Sequence, residues 1–367
     1  MSPRTPRLSL HSLALWPLAL ITGFAGSAAR ADALYTITDL GTLSGQSSSV
    51  ATSINNQGQV VGISYNGSDG YFASQTGGPA DPPRFAVTGD GSQSFLYSNG
   101  QTTPISPIGG LAMSINNLGQ VVGGPYASIN DSGQYIGGTG SGVYNTSYSL
   151  PDQLVSGGTT TTLAYFAPLA INNAGQIAGS AYAAVGPSGN AAAVYQNGQV
   201  KLLLSTPING QESAAVAINQ KGDILFTVWQ QGGSPQASSF LYHADNGTMT
   251  NLSSLAGGST FIAAALNDNG QAVGNGYIYN SGTIETLASL FPISSRWTNL
   301  NATGINDSGQ IVGQGTYDGQ QVAFLMTPDA IETPEPGTLA IWGLIAAGAA
   351  GRTAALASSR RHGVLGR

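Results

Sequence analysis

The sequence predicts an all-β fold, a β-propeller built from four-stranded blades. Three observations predict it. A hexapeptide close to Ile-Asn-(Asn/Asp)-x-Gly-Gln recurs seven times, five of them without departure. A second hairpin pattern, an aromatic strand running into a polar-Gly turn, follows most copies. Glycine, 52 of 367 residues, stands at about twice its usual ~7% share, as a chain of many tight turns requires.

The first copy is INNQGQ at 54–59. INNLGQ follows at 115–120, INDSGQ at 129–134, INNAGQ at 171–176, INQKGD at 218–223, LNDNGQ at 266–271 and INDSGQ at 305–310. The Asn in second place falls at 55, 116, 130, 172, 219, 267 and 306, in steps of 61, 14, 42, 47, 48 and 39. A small residue always precedes the Ile or Leu, and most copies run on into two apolar residues and a Gly, as in Val60-Val61-Gly62. The Asn/Asp-x-Gly triplet suits a type I turn closed by a left-handed Gly, which makes a G1 bulge. β-Branched residues on both sides fit a half-buried pleated strand. The recurrent Asn can hold the turn by bonding nearby backbone.

The second hairpins lie near 94, 143, 193, 239, 277 and 322, for example Phe95-Leu96-Tyr97-Ser98-Asn99-Gly100. Two hairpins per period give four strands, the content of a propeller blade at roughly 40–45 residues. The last blade lacks a strand after 322–326, and 35–40 (YTITDL) has no preceding hairpin, so the N-terminal strand is expected to close the ring. The count favours six blades, with the copy at 129 as an extra hairpin within the second. Seven is the alternative, if the 14-residue step hides a degenerate blade. A right-handed β-solenoid ranks third. The insertion from Ala73 to Gln93 reads as a surface loop.

The two ends differ from this body. The segment from Asp32 to Glu335 holds all 17 acidic residues and only Arg84, Lys201, Lys221 and Arg296 of the 11 basic ones, a net charge of −13. The balance excludes a nucleic-acid footprint. Absence of cysteine excludes disulfides and thiolate chemistry. In front, Arg4 and Arg7 precede a short apolar run, and Ala29-Arg30-Ala31 fits small-x-small cleavage, so residues 1–31 read as a signal peptide for a signal peptidase. Behind the propeller (32–328), a linker at 329–336 leads to an apolar stretch at 337–357, long enough for one transmembrane helix at roughly 20 residues. Arg360 and Arg361 open a basic tail (358–367) that marks the cytoplasmic side.

The order Pro334-Glu335-Pro336, apolar span, Arg360-Arg361 resembles the PEP-CTERM protein-sorting domain of Gram-negative bacteria. That resemblance implies an inner-membrane precursor, processed by an exosortase-type membrane protease and released to the cell surface or beyond. It also implies a link to extracellular polysaccharide and biofilm. The INNxGQVVG copies resemble the extracellular HAF-repeat family, which implies a location and a fold but no activity.

The body offers little catalytic material. Its one histidine is His243, within a repeated strand-and-turn segment. Glu212 and Glu285, the only glutamates in the repeats, fall in different blades and mark no glycosidase pair. Asn/Asp-rich turns such as Asn267-Asp268-Asn269 carry oxygen ligands suited to calcium, but each is needed to fold its turn. No metal or cofactor is therefore expected. The leading expectation is an exported, non-enzymatic surface or matrix protein. The alternatives are a polysaccharide-binding lectin, with Trp297, Arg296 and Trp229 as ligand contacts, and a carbohydrate-active hydrolase.

Overall fold

The computed structural model describes residues 34–329, apart from 68–69, 74–83, 88–90, 109, 125, 138–151, 183–189, 205–210, 231–236, 258–260 and 293. The expected signal peptide with Ala29 and Ala31 lies outside the described residues. So do Pro334, Glu335, Pro336, the apolar span, Arg360 and Arg361. Among the described residues no helix is long and apolar enough to cross a membrane.

Strand β1 (Tyr35–Asp39) comes first. Blade I follows with β2 (Ser48–Ile54), β3 (Val60–Tyr65), an inserted hairpin of β4 (Gly70–Ala73) and β5 (Arg84–Val87), then β6 (Gln93–Ser98) and β7 (Gln101–Ile105). A two-stranded sector, β8 (Ala112–Ile115) and β9 (Val121–Gly123), comes next. Blade II is β10 (Tyr126–Ile129), β11 (Tyr135–Gly137), β12 (Gln153–Ser156) and β13 (Thr159–Thr162). Blade III is β14 (Phe166–Ile171), β15 (Ile177–Tyr182), β16 (Asn190–Gln196) and β17 (Gln199–Leu202). Blade IV is β18 (Gln211–Ile218), β19 (Ile224–Gln230), β20 (Ser238–Tyr242) and β21 (Met249–Asn251), followed by the single helical turn α1 (Leu252–Leu255). Blade V is β22 (Ala263–Leu266), β23 (Ala272–Gly274), β24 (Tyr277–Asn280) and β25 (Thr283–Thr286). Blade VI takes β26 (Trp297–Ile305), β27 (Ile311–Tyr317) and β28 (Gln320–Pro328), and borrows β1 as its outer strand.

Six sheets therefore have four antiparallel strands, and the fold is an all-β propeller of four-stranded blades, as expected. The closing strand also behaves as expected: β1 pairs with β28 from Tyr35↔Pro328 to Asp39↔Phe324. This pairing hides the edge that β28 would otherwise present. One expectation needs correction. The copy at 129 is not an extra hairpin; it forms the inner pair β10–β11 of the complete blade II. The extra hairpin is β8–β9, a separate sheet that occupies its own sector. The hairpin expected near 143 lies outside the described residues, and the described blade II ends in β12–β13, turned at Gly157-Gly158. The Ala73–Gln93 insertion contains β5, which pairs back onto β4.

The local chemistry explains these elements. In the first hairpin, Asn55 NH donates to Gln59 O and Gly58 NH to Asn55 O, with Gly58 at φ 73°, the bulged type I turn the triplet predicts. The outer hairpins of blades I, II, III and V use paired left-handed residues, such as Asn99 (φ 51°) and Gly100 (φ 78°), the type I′ geometry that matches strand twist. The glycine ending Val60-Val61-Gly62 has a different cause. The inner strand bulges opposite this glycine, as between Ala51 and Ser53, and a Cβ on Gly62 would overlap the Val50 carbonyl oxygen and Phe95. Gly123, Gly179, Gly274 and Gly313 meet the equivalent carbonyl in their own sheets. The core lies between blades. Ala51, Ile54, Val60 and Phe95 of blade I pack on Val312, Ala323 and Leu325 of blade VI, and Ala178 and Val194 of blade III pack on Ala215, Ile224 and Phe226 of blade IV.

Candidate functional site

The seven motif turns gather at one end of the axis. Their aliphatic residues, from Ile54 to Ile305, and the polar residues that follow line a cavity of about 160 Å³. The second-place Asn of every copy is at most 4% exposed. Each sends Nδ2 to the backbone carbonyl of the same residue in the next sector: 55 to 116, 116 to 130, 130 to 172, 172 to 219, 219 to 267, 267 to 306, and 306 back to 55. All seven bonds measure 2.8–3.2 Å. The result is a closed ring of asparagines. Within its own turn, Asn55 Oδ1 accepts the amides of Gln57 and Gln59, and Nδ2 also donates to Gln59 Oε1. One buried side chain thus satisfies its turn, the motif Gln and the neighbouring sector.

The third-place residues form a second closed ring toward solvent. Each backbone NH donates to the side-chain oxygen of the next: Asn56 to Asn117, then Asp131, Asn173, Gln220, Asp268, Asp307 and back to Asn56, at 2.7–3.0 Å. Its three aspartates differ. Burial opposes charge on Asp131, but bonds from the Asn173 and Asn117 side chains and the Asn117 NH hold its carboxyl below the usual range. Burial pushes Asp268 up; the Gln220 NH draws it partly back, and Asp307 beside it raises it further. The mouth is therefore a bonded collar. Its oxygens are spent on neighbours, and among the described residues no group of three or more His, Cys, Asp or Glu is placed to hold a metal ion.

The motif Gln packs outward against the next turn. Gln310 Oε1 stands 3.1 Å from where a Cβ of Gly58 would lie, and Gln120 and Gln176 approach Gly133 and Gly222 similarly. One sector departs from this. INQKGD carries Asp223 in place of Gln, and nothing lies within 4 Å of the Cβ position at Gly270. A cleft of about 450 Å³ opens there, lined by Lys221, Asp223, His243, Asp245, Asn269 and Tyr279 among others. On the other side of the same turn lies a cleft of about 350 Å³, between blades III and IV. Its lining includes Gln176, Gln196, Gln199, Lys201, Lys221 and Tyr242.

The ligand contacts expected from the sequence lie elsewhere and do not converge. Trp229 is 5% exposed, packed in the core of blades IV and V, with Nε1 donating to Glu212 Oε2. Trp297 is 7% exposed, 4.9 Å from Tyr317 and 6.1 Å from Phe324. Neither ring offers a face for sugar stacking. Arg296 is exposed but occupied: it is ion-paired with Asp318, bonded to the Tyr317 hydroxyl and placed over the Tyr317 ring. His243 bonds to Thr250 Oγ1 at 3.0 Å within its own hairpin. The axial rings and the clefts beside Lys221 were not anticipated. The signal for the clefts was present, because one copy of seven breaks the repeat.

No family model matches the chain, and no curated protein matches it. Solved structures do. The β-propeller domain of the Trilobed protease from Pyrococcus furiosus, described as having an open velcro topology, aligns at TM-score 0.45 and 9% identity over 79% of this chain and 98% of that one. A protein of unknown function from Dyadobacter fermentans aligns at TM-score 0.37 and 11% identity, over 80% and 98%. Trypanosoma rangeli sialidase aligns at TM-score 0.37 and 8% identity, over 77% of this chain and 55% of its own. Likeness at this level says nothing of chemistry.

Proposed function

We propose that this is an exported, non-enzymatic propeller, displayed at the cell surface or in the extracellular matrix through a PEP-CTERM-type sorting tail. The observation that carries the reading is where the propeller begins and ends. β1 starts at Tyr35, just past the Ala29-Arg30-Ala31 cleavage pattern, and β28 ends at Pro328, just before the Pro334-Glu335-Pro336 motif. The two ends are joined: Asp329 NH donates to Leu34 O at 3.0 Å, and Thr36 Oγ1 to Asp329 Oδ1 at 2.6 Å. The described propeller therefore begins and ends at neighbouring residues, Leu34 and Asp329. The polar motif residues support a structural rather than catalytic role, since their bonds go to each other.

Fractionation of cells carrying the full chain with a tag inside the Ala73–Gln93 insertion tests this. The expected result is a membrane precursor converted to a smaller surface or extracellular form, with Glu335→Ala arresting it as precursor. Tagged protein confined to the cytoplasm of intact cells would overturn the reading.

A further inference from the structure

We propose that the paired clefts around the Lys221 turn bind a carboxylated saccharide, with a uronate group held between Lys201 and Lys221. Three observations point there. The turn is where the repeat breaks: Gln220, Lys221 and Asp223 replace the usual Asn/Asp, neutral residue and Gln, and Phe226 stands where every other copy has the bulge-facing Gly. Gln220 keeps the outer ring and Phe226 packs in the core between blades III and IV, so Lys221 and Asp223 are the changes that reach the clefts. Second, the changes open space. Asp223 is shorter than Gln and is tied back by Asn219 Nδ2 and the Ala244 NH, which leaves the cleft against Gly270. Lys221 and Ala244 line both clefts, so they adjoin and suit a chain-like ligand lying across the turn.

Third, the lining has the right chemistry. The cleft between blades III and IV has no carboxylate in its wall, in a body of charge −13. It holds two of that body's four basic residues, and among the described residues neither lysine forms a salt bridge. Its floor is apolar, from Val194, Leu203 and Ile224, with Tyr242 at the side, which suits the C–H face of a sugar ring. Gln199 supplies an amide for hydroxyls. The second cleft adds Asp223, Asn269 and Ser281, acceptors and donors for a neutral neighbouring sugar. Two ammonium groups facing one carboxylate give charge-assisted bonds, roughly twice as strong as neutral ones. The inference draws on the proposed function for its extracellular setting only.

Calorimetric titration of the solubilised full chain with a trimer of one terminal glucuronate on two neutral xyloses, and with its methyl ester, tests it. The acid form is expected to bind at least tenfold tighter than the ester. The Lys201→Gln, Lys221→Gln double variant, changed only at exposed side chains, is expected to lose that preference while keeping its melting temperature. Asp223→Gln, which restores the repeat, is expected to weaken the trimer more than glucuronic acid alone. Equal binding of acid and ester, or no binding by the parent chain, overturns the site even if the double variant misfolds. An exported protein that ignores the trimer overturns the site alone; a cytoplasmic protein that binds it overturns the export reading alone.

Discussion

The side-chain amide of Asn306 donates to the backbone carbonyl of Asn55 at 3.0 Å, across 251 residues of chain. With this bond the axial ring is complete, independently of the β1–β28 pairing at the rim. Asn306 Oδ1 also accepts the amides of Ser308 and Gln310, and Nδ2 donates to Gln310 Oε1. Asn306→Ala strands these partners in a buried site, where each unmet group costs ~1–3 kcal/mol. The expected loss in urea unfolding is about 3 kcal/mol. Asn56→Ala, in the exposed outer ring, is expected to cost under about 1 kcal/mol. Equal losses at the two positions would show that the inner ring has no special weight.

Removal of β1 uncovers the whole edge of β28 and deletes the hydroxyl bond that Tyr35 donates to Gly309 O. A chain starting at Gly41 is expected to melt lower than one starting at Ala33 and to self-associate through the bared edge. Light scattering during a thermal ramp reads both effects. A monomeric protein with an unchanged melting temperature would contradict the closure.

Gly313→Ala places a methyl group on the Asn301 carbonyl oxygen, backbone that has no room to yield. Overpacking of this kind costs about 1–3 kcal/mol. Gly319→Ala, where nothing lies within 4 Å, suffers only the strain of φ 84°. Denaturant midpoints should rank parent, Gly319→Ala, Gly313→Ala in falling order.

The collar aspartates should respond to pH in opposite senses. Asp131, held below the usual range, stabilises the fold above the ordinary aspartate pKa and loses this as pH falls through its folded value. Asp268, pushed up, penalises the fold at neutral pH, and the penalty fades as pH falls through its raised value. Asp268→Asn is thus expected to stabilise by up to ~1 kcal/mol at pH 7, discounted for its partial exposure, with the gain vanishing in acid. Asp131→Asn puts an amide donor where Oδ2 accepted from the side chains of Asn117 and Asn173, and is expected to destabilise by ~1 kcal/mol at pH 7. Melting curves at pH 7 and pH 3.5 separate the two.

Much of this fold was legible because its turns are chemical. Asn-x-Gly and Asn-Gly state their backbone geometry locally, and an unpaired strand at each end of the repeats implies closure. Two things were not legible. The reach of Asn55 to Asn116 depends on how close neighbouring sectors stand at the axis, which no local rule fixes. The burial of Trp229 and Trp297 depends on which side of a blade faces the next one. Both lie beside polar residues, so their flanks read as surface although their rings fill inter-blade core. The unusual INQKGD copy was visible from the start, but its meaning emerged only when the missing Gln was seen to leave a gap.

Among the described residues, the two-stranded sector β8–β9 brings Asn116 and Asn117 into the two axial rings without an outer hairpin of its own. Membership of the circle is therefore granted by the inner hairpin alone, some dozen residues of sequence. Hub and rim keep separate tallies: seven at the hub, six at the rim. A gene encoding such a protein can change its ring size by copying a very short segment, and it can acquire or shed the outer half of a blade as a later and independent event.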